Sequence, residues 1–558
     1  MLLMLALLAM TATIAIGYYL YIPSYKKLTP QYEHAHPIVV EGAVQQQGAI
    51  LENGEIKLPF SVLEQSFGQA MPIVYEPSSG TIILTTVDKV LRLSTNSLTA
   101  KMNQQTYDLT IGAEVKDGEA YIPITPLEEL YGLKAEMAAN SGMITLRMAG
   151  HSLPMAVSEG DDGTAVRSEP TIRAPIIEQV NTGAALKIWG EKNGWYEAQG
   201  PDGHPGYVKK DSVTLTSVDQ VPQPKREQPF VAWKVLGTKI NMTWEAVYER
   251  NPKVADIGAL EGVNVVSPTW FELQDGEGKI KSKADPGYVK WAHGRGMQVW
   301  ALFSNGFETE RTTKALASAD TRFKMIQQLL AYAELYNLQG INLDFENVLT
   351  ADREELVQFV RELTPLLHEQ GLVVSIDVTP KSNSELWSLF LDRKALGSIV
   401  DYMMVMAYDE HWASSPKAGS VASLGWTERS LTRILEEDDV PPSKIILSMP
   451  LYTRIWTEQQ DAEGKLKVSS KSVSMNRVKE IVAAKKLKPV FDEEAGQNYV
   501  EYTESGTRNR IWIEDDRSMQ ARVALVHKYQ LAGAATWARS FQTDSIWKTI
   551  DQALKKRP

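Results

Sequence analysis

The feature that most constrains the fold is a regular alternation of short apolar runs with helical patterns from residue 230 to the end of the chain. Such runs are typical of strands that are buried on both faces of a parallel sheet. Eight strands are predicted, at 230–236, 262–267, 297–303, 340–345, 372–378, 400–407, 444–450 and 532–538. Helices are predicted between them at 286–295, 321–336, 353–370, 427–436 and 518–530. Eight strands in about 330 residues, with helices between them, predict an α/β fold, a (β/α)₈ TIM barrel over 230–558.

One connection in this barrel is long. Residues 453–517 separate the seventh strand from the eighth and contain strand patterns of their own at 498–503 and 510–514. They are predicted to form an α+β insertion. Before the barrel in the sequence, residues 217–229 are rich in Pro and poor in apolar residues, which predicts an extended linker.

Residues 36–150 contain an internal repeat. The sequence NGEIKLP at 53–59 recurs as DGEAYIP at 117–123, and each copy predicts a turn, a strand and a short helix that begins at the Pro. The result is an α+β domain with pseudo-symmetry. The pattern resembles the copper-amine-oxidase N-terminal-like repeat of bacterial surface proteins. The repeats hold no cluster of metal-ligating residues, so we interpret the domain as a spacer or wall-contact module without copper.

Residues 160–216 change to short strands separated by Gly, with Gly194-Trp195-Tyr196 and Gly206-Tyr207-Val208 as the clearest examples. This pattern of short strands separated by Gly predicts a small β-barrel. Its order and spacing resemble the bacterial Src-homology-3-like domain, and that resemblance implies binding of peptide or wall glycan.

The N-terminus and the overall composition bear on location. Residues 2–22 carry no charged side chain and are long enough to span a bilayer, so residues 1–24 are predicted to be a membrane anchor or a signal segment. The pair Lys26 and Lys27 after the span would by itself favour a cytoplasmic body. The net charge of −11 counts against nucleic acid as a partner. The absence of cysteine excludes thiolate nucleophiles and cysteine-ligated metals.

The fourth predicted strand holds the sharpest feature of the sequence, GINLDFEN at 340–347. Alternate side chains share a face of a strand, so Asn342, Asp344 and Glu346 point one way and the apolar residues between them the other. Polar groups that point to the axis of a barrel would destabilise the fold if they served only as an apolar core, because burial without hydrogen-bond partners costs free energy. Catalytic residues gather at the C-terminal ends of barrel strands, which is where the two acids lie.

Two acids at this spacing suggest glycoside hydrolysis. The substrate-assisted scheme, in which the 2-acetamido group of the sugar attacks the anomeric carbon, suits them better than a scheme with an enzyme nucleophile. Glu346 at the strand tip is predicted to protonate the leaving oxygen. Asp344 is predicted to orient and stabilise the acetamido group, and its charge would raise the proton affinity of Glu346.

The same segment resembles the fourth-strand signature of glycoside hydrolase family 18, Asp-Gly-x-Asp-x-Asp-x-Glu. The resemblance matches Glu346 to the proton donor and Asp344 to the stabilising acid. The first and second Asp of the signature are Gln339 and Asn342 here. Asn at the second place is similar to the branch of spore-cortex and spore-germination hydrolases, which implies wall-binding modules and action on peptidoglycan.

Two further segments carry the resemblance. Residues 404–409, MVMAYD, look like the Met-x-Tyr-Asp segment of the family. This implies that the Tyr408 hydroxyl binds the acetamido carbonyl and that Asp409 contacts sugar hydroxyls or Glu346. Trp537, at the end of the eighth strand, matches the Trp that forms the floor under the reacting sugar, a suitable role for an aromatic face.

Other residues at strand ends are candidates for substrate binding. Trp270 and Trp412 are predicted to stack on flanking sugars, and Asn305, Asp377 and Tyr452 to hydrogen-bond sugar hydroxyls; Asn342 joins the same substrate-binding set. No group of histidines and acids has metal-ligand spacing, and there is no phosphate loop or dinucleotide fingerprint. No metal and no cofactor are therefore predicted.

These observations favour a glycoside hydrolase that cleaves β-1,4 linkages of N-acetylglucosamine-containing polymers by a retaining, substrate-assisted mechanism. The accessory domains favour peptidoglycan over chitin as the partner. The alternatives are a non-catalytic, lectin-like glycan-binding protein and an envelope or spore scaffold, and the presence of both acids favours the enzyme. A wall substrate places the protein outside the cytoplasm, secreted or with an N-terminal membrane contact.

Overall fold

A computed structural model describes residues 7–13, 17, 21–224, 230–232, 236–460 and 463–556. The chain divides into two compact units, Met1–Gln228 and Pro229–Pro558. Each unit has its own hydrophobic core, and each is considered by itself.

The second unit is built on eight parallel strands. They are β1 (Ile240–Glu245), β2 (Val265–Pro268), β3 (Gln298–Ser304), β4 (Gly340–Asp344), β5 (Val373–Val378), β6 (Tyr402–Met406), β7 (Ile445–Pro450) and β8 (Gly533–Trp537). Each strand pairs with the next along the chain, and β8 also pairs with β1. The sheet is therefore a closed eight-stranded barrel, which confirms the predicted fold class.

Helices follow most of these strands. They are Pro286–Gly294, Thr309–Leu316, Ala319–Tyr336, Arg353–Glu369, Arg393–Ile399, Leu424–Glu437, Asp516–Lys528 and Ile546–Lys555, with short turns of helix at Val254–Asp256, Thr350–Asp352, Glu385–Leu389, Pro442–Lys444 and Arg539–Phe541. The helix predicted from residue 321 begins two residues earlier because the Ser318 side chain accepts a hydrogen bond from the Thr321 amide and so caps its N-terminus.

The first strand was predicted in the wrong place. The described residues of 230–236 are not strand, and the Phe230 ring instead stacks on His368 at 3.7 Å. The true β1, INMTWE, is more polar, yet all six of its residues are buried. Its last residue, Glu245, forms an ion pair with Arg539 after β8. Hydrophobicity alone favoured the wrong run because Thr243 and Glu245 of β1 find their partners only in the folded barrel.

Large apolar side chains fill the lower part of the barrel. Met242 and Trp244 of β1 pack with Trp300 of β3, Met404 of β6 and Ile446 of β7 in one buried cluster. Because side chains alternate along a strand, this set fixes which residues of each strand point inward. The polar residues that lie above the cluster form the candidate site.

Between β7 and β8 lies the α+β insertion expected from the sequence. Its strands are Tyr452–Gln460, Leu466–Ser474, Val490–Asp492, Gln497–Glu504 and Thr507–Ile513, and its helix is Met475–Ala484. The strands form one five-stranded sheet with its own small core. A hairpin of Phe271–Leu273 and Ile280–Ser282, which the sequence did not predict, extends the barrel sheet beside β3.

The first unit begins with the internal repeat. Its strands are Pro37–Val40, Ala43–Gly48, Ile50–Glu52, Glu55–Pro59, Ile73–Glu76, Thr81–Thr85, Val90–Ser94, Thr99–Met102, Gln105–Asp108, Glu114–Lys116, Glu119–Pro123, Lys134–Met137 and Ile144–Arg147. The helices Phe60–Phe67 and Ile124–Tyr131 follow the two Pro residues, as the repeat predicts, and a turn of helix spans Gly68–Ala70. Equivalent strands of the two copies pair with each other, Leu58 opposite Ile122, which is the pseudo-symmetric arrangement.

A seven-stranded antiparallel sheet completes this unit. It contains Ser152–Ser158, Thr164–Arg167, Ile176–Val180, Ala185–Lys192, Trp195–Gln199, Pro205–Lys209 and Val213–Gln220, with a turn of helix at Lys210–Ser212. The segment that precedes the repeat lies along this sheet, since Leu28 N donates to Ile176 O at 2.8 Å and Arg167 Nη1 donates to Ser24 O at 2.9 Å.

The predicted anchor at 2–22 falls largely outside the described residues, which omit 2–6, 14–16 and 18–20. Within the described ranges, no helix has the length and apolar character needed to cross a membrane.

Candidate active site

The site is centred on β4 and the two residues that follow it. Asn342 and Asp344 lie on the inward face of this strand, and Glu346 stands just beyond its C-terminal end. The alternation seen in the sequence thus brings the two predicted acids to the mouth of the barrel.

Asn342 forms the buried base of the site. Its Oδ1 accepts hydrogen bonds from Trp244 Nε1 at 2.9 Å and from Ser267 Oγ at 3.2 Å. Two donors on this oxygen fix the orientation of the amide, and Nδ2 donates to Asp377 Oδ1 at 2.8 Å. Asn342 has no exposed surface. The prediction that it binds substrate is therefore wrong, because its amide is committed to the barrel interior.

Asp344 and Glu346 form a pair of neighbouring buried acids. Burial raises the pKa of Asp344 to about 7, and its interaction with Glu346 opposes that rise. Burial raises the pKa of Glu346 well above its ordinary value, and the charges of Asp344 and Asp409 raise it further. These causes favour the protonated form of Glu346, which is the form that a general acid needs.

Asn305, which follows β3, holds the backbone of Glu346. Its Oδ1 accepts from Glu346 N at 3.1 Å and its Nδ2 donates to Glu346 O at 2.7 Å. It is completely buried. The prediction that Asn305 binds sugar hydroxyls is wrong, since both ends of its amide already fix the position of the acid.

Tyr408 and Asp409 follow β6 on the other side of the mouth. Burial, and then the charges of Asp377 and Asp344, raise the pKa of Tyr408 well above its ordinary value, so its hydroxyl remains a donor. Asp409 lies in the left-handed backbone region at φ 60°. Its Oδ1 accepts from Tyr452 Oη at 2.6 Å and from Arg454 Nη2 at 3.1 Å.

Tyr452 lies beside the site as predicted, but its hydroxyl is directed at Asp409. Its ring meets that of Tyr408 edge to face at 6.4 Å. Arg454 was not predicted because it belongs to the first strand of the insertion, whose contact with the β6 loop has no signal in the sequence. The insertion thus contributes the cation that neighbours Asp409.

The predicted aromatic platforms separate into three cases. Trp537 is partly exposed at the top of the barrel cluster, 6.0 Å from Trp244 between ring centroids. Trp412 is 53% exposed in the loop after β6. Trp270 is completely buried and donates to Asn251 Oδ1 at 2.6 Å, so the prediction that it stacks on a sugar is wrong.

The site offers no grouping that suits a metal. Over the described part of the chain, no cluster of three or more His, Cys, Asp or Glu side chains has an arrangement that could hold a metal ion. The titratable groups that the mouth of the barrel offers are the carboxyl groups of Glu346 and Asp344 and the hydroxyl of Tyr408.

Comparison with known families agrees with this architecture. Residues 269–542 match glycosyl hydrolases family 18, residues 39–146 match the copper amine oxidase N-terminal domain, and residues 162–214 match the bacterial SH3 domain. The barrel is therefore similar to glycosyl hydrolases family 18 over residues 269–542. In class, the chain is a glycosidase.

Individual relatives are distant. The uncharacterized glycosylase YvbX of Bacillus subtilis (strain 168) is 24% identical over 305 residues, which cover 52% of this chain and 85% of that protein. The cortical fragment-lytic enzyme of Bacillus subtilis (strain 168) is 27% identical over 255 residues, which cover 45% of this chain and 58% of that protein. The crystal structure of the spore cortex-lytic enzyme SleL of Bacillus megaterium QM B1551 shares the fold, with a TM-score of 0.52 at 22% identity over 62% of this chain and 78% of that one.

Proposed function

We propose that this chain is a retaining glycosidase that cleaves β-1,4 linkages in peptidoglycan, after an N-acetylated sugar, with the 2-acetamido group of the substrate as nucleophile. The observation that carries the proposal is the pair of buried acids, Asp344 and Glu346, at the mouth of the barrel. Asp344 precedes Glu346 by two residues and is 8% exposed. In this proposal Asp344 supports the acetamido group of the substrate, and the substrate supplies the nucleophile.

The first step transfers one proton and exchanges two bonds. Glu346 gives its proton to the glycosidic oxygen, and the bond from that oxygen to the anomeric carbon breaks with its electron pair on the oxygen. The acetamido carbonyl oxygen bonds to the anomeric carbon and gives a cationic oxazolinium ion. The carboxylate of Asp344 offsets this positive charge, and the deprotonated Glu346 then removes a proton from the water that opens the ring. Two displacements at one carbon retain its configuration.

In this proposal the Tyr408 hydroxyl binds the acetamido carbonyl and holds it for attack. Replacement of Tyr408 with Phe removes this donor and keeps the ring contact with Tyr452. We expect kcat to fall about 10- to 100-fold with a smaller change in KM, because positioning acts on the chemical step. Steady-state kinetics on a soluble N-acetylglucosamine oligomer measure both constants. Unchanged kcat would remove Tyr408 from the mechanism.

Peptidoglycan is the substrate class that the rest of the chain favours. The cortical fragment-lytic enzymes are relatives of the barrel, and the bacterial SH3 and repeat domains precede it in this chain. A wall polymer lies outside the cytoplasm, so we place the enzyme at the cell wall or the spore cortex. The uncharged segment at 2–22 is the element that would deliver it there, as a signal segment or an anchor.

The first unit is expected to recruit the barrel to an insoluble polymer. Removal of residues 1–228 should leave activity on short soluble oligomers within about twofold, because the barrel has its own core. Activity on intact wall should fall about tenfold or more, since a tethered binding module raises the local concentration of the site. The two substrates are compared at equal enzyme concentration. An equal loss on both would mean that the first unit supports the fold of the barrel.

The direct test is turnover on purified substrates. The full chain is incubated with spore-cortex peptidoglycan, vegetative-wall peptidoglycan and chitin oligomers, and mass spectrometry identifies the new reducing ends. We expect N-acetylglucosamine at the new reducing ends of peptidoglycan fragments. Binding to these polymers without cleavage would instead favour the lectin-like function, and cleavage of chitin alone would change the substrate class.

A further inference from the structure

The first unit contains a cavity of about 690 Å³ where the segment that precedes the repeat meets the seven-stranded sheet. Tyr21 and Pro23 of that segment line it together with residues of the sheet and its loops, among them Thr164, Arg167 and Trp195. The match to the bacterial SH3 domain begins at residue 162, so part of the lining comes from outside the family pattern. Cavities of this volume hold small ligands, such as the end of a short peptide.

Backbone hydrogen bonds hold the segment in place beside the sheet. Leu28 N donates to Ile176 O and Ile176 N donates to Lys26 O, both at 2.8 Å, which forms a short parallel bridge to the edge strand. Ser24 N donates to Ile172 O at 2.8 Å. The part of the lining that the segment contributes is therefore fixed by main-chain contacts.

Arg167 brings a buried cation to this cavity. Its side chain is part of the lining, and the residue is 6% exposed. Nη1 donates to Ser24 O at 2.9 Å and to Ala174 O at 2.7 Å. Among the residues that the structure describes, no group accepts from Nε or Nη2, and no carboxylate pairs with the guanidinium. Buried charges are normally paired, whereas this one meets only neutral carbonyl groups of the described chain.

The edge of Arg167 that carries Nε and Nη2 has the geometry to receive a carboxylate. Its two N–H groups are parallel and match the two oxygens of one carboxylate. Burial lowers the pKa of the Arg167 guanidinium, against a smaller charge effect of Tyr25. Arginine nonetheless stays charged at neutral pH, so an anion in the cavity would offset the hydration that burial removes.

The other polar groups of the lining favour a ligand with a single negative charge. Lys209, a second cation of the lining, is already paired with Asp211 at 2.6 Å. The hydroxyls of Thr164 and Ser212 donate to backbone carbonyl groups. Arg167 is thus the cation that is available to a ligand, and one guanidinium balances one carboxylate.

We propose that this cavity binds the C-terminal carboxylate of a short peptide, and that its source in the cell wall is the D-alanine end of a peptidoglycan stem peptide. Arg167 binds the carboxylate with Nε and Nη2. The apolar lining, which includes Pro170, Ile172 and Trp195, packs on the methyl group of the terminal residue. The choice of the wall as the source of the carboxylate rests on the proposed function.

The test is the binding of N-acetyl-D-Ala-D-Ala and of its C-terminal amide to the full chain, measured by isothermal titration calorimetry. The two probes differ only in the carboxylate. We expect the acid to bind about tenfold or more tightly than the amide, because the amide lacks the charge and one of the two acceptor oxygens. Equal affinity for the two probes would overturn the inference.

Two variants test the assignment to this cavity. Arg167→Lys keeps a cation for the two carbonyl groups but removes the parallel donors, and we expect about tenfold weaker binding of the acid. Ala165→Leu adds bulk to the lining and leaves Arg167 unchanged, and we expect it to abolish binding. Lys101→Gln, exposed on a strand of the repeat, is the matched control and should bind like the parent. Parental affinity in both Arg167→Lys and Ala165→Leu would overturn the inference.

A different ligand class has its own signature. Vesicles that contain an anionic phospholipid are tested with the same proteins. Binding to these vesicles that depends on Arg167, without binding of the dipeptide, would assign the cavity to a membrane surface and contradict the proposal.

Failure of this inference is separable from failure of the proposed function, because no glycosidic bond is broken in the binding assay. If Glu346→Gln abolishes hydrolysis of peptidoglycan and the dipeptide does not bind, only the cavity assignment is wrong. If the dipeptide binds through Arg167 and the parent does not cleave peptidoglycan, the carboxylate site stands and the proposed reaction is wrong.

Discussion

Replacement of Glu346 with Gln is expected to reduce turnover about 10²–10⁴-fold, the usual contribution of a general acid. The amide keeps the size of the side chain and its hydrogen bonding but has no proton to transfer. The backbone should stay in place, because Asn305 binds the main-chain atoms of residue 346 and not its side chain. Binding of oligosaccharide should therefore be retained, and the comparison of kcat with binding affinity separates chemistry from recognition.

Glu354→Gln is the matched control for this variant. Glu354 is exposed in the first turn of the helix that follows β4, so it belongs to the same strand–helix unit but lies outside the site. We expect parental turnover from it. Hydrolysis by Glu346→Gln at the rate of Glu354→Gln would show that another group donates the proton.

Replacement of Asp344 with Asn is expected to lower kcat by roughly 10²–10³-fold, since it removes the charge that faces the oxazolinium ion. It should also change the pH dependence. The Asp344 charge is one of the causes that raise the pKa of Glu346, so a neutral amide lowers that pKa. The proton donor is then lost at lower pH, and the alkaline limb of kcat/KM should move down. The measurement is a pH–rate profile from about pH 4 to pH 9 on a soluble oligomer.

A profile with an unmoved alkaline limb would contradict the coupling of the two acids. Full activity of Asp344→Asn at all pH values would exclude Asp344 as the group that stabilises the intermediate. Thermal unfolding of the variant should stay close to that of the parent, because an amide occupies the same volume in the same buried position.

Much of the barrel was predictable because its strands are apolar on both faces. The runs at 297–303 and 444–450 are correct to within one residue of β3 and β7, since each is a short apolar run with a clear beginning and end. β1 was not predicted because Asn241, Thr243 and Glu245 make it look polar, although all three are buried in the closed barrel. The helix Arg393–Ile399 was not predicted because its seven residues are too few to show a helical hydrophobic period.

In the site too, some features follow from the local sequence and others depend on tertiary packing. The inward direction of Asp344 follows from alternation along one strand, which is a local property. The burial of Trp270 and Asn305 depends on which loops pack over them, so sequence spacing wrongly placed both against the substrate. Asp377 was predicted to bind sugar hydroxyls, but it is buried and its Oδ1 accepts a hydrogen bond from Asn342.

The most direct test of the mechanism is the configuration of the new reducing end. The full chain cleaves a soluble β-1,4-linked N-acetylglucosamine oligomer, and ¹H NMR spectra are recorded within the first minutes, before mutarotation mixes the anomers. Substrate-assisted attack followed by opening with water predicts the β-anomer as the first product. An initial excess of the α-anomer would mean a single inverting displacement, and it would contradict the substrate-assisted attack and the role of Asp344 as the acid that stabilises its intermediate.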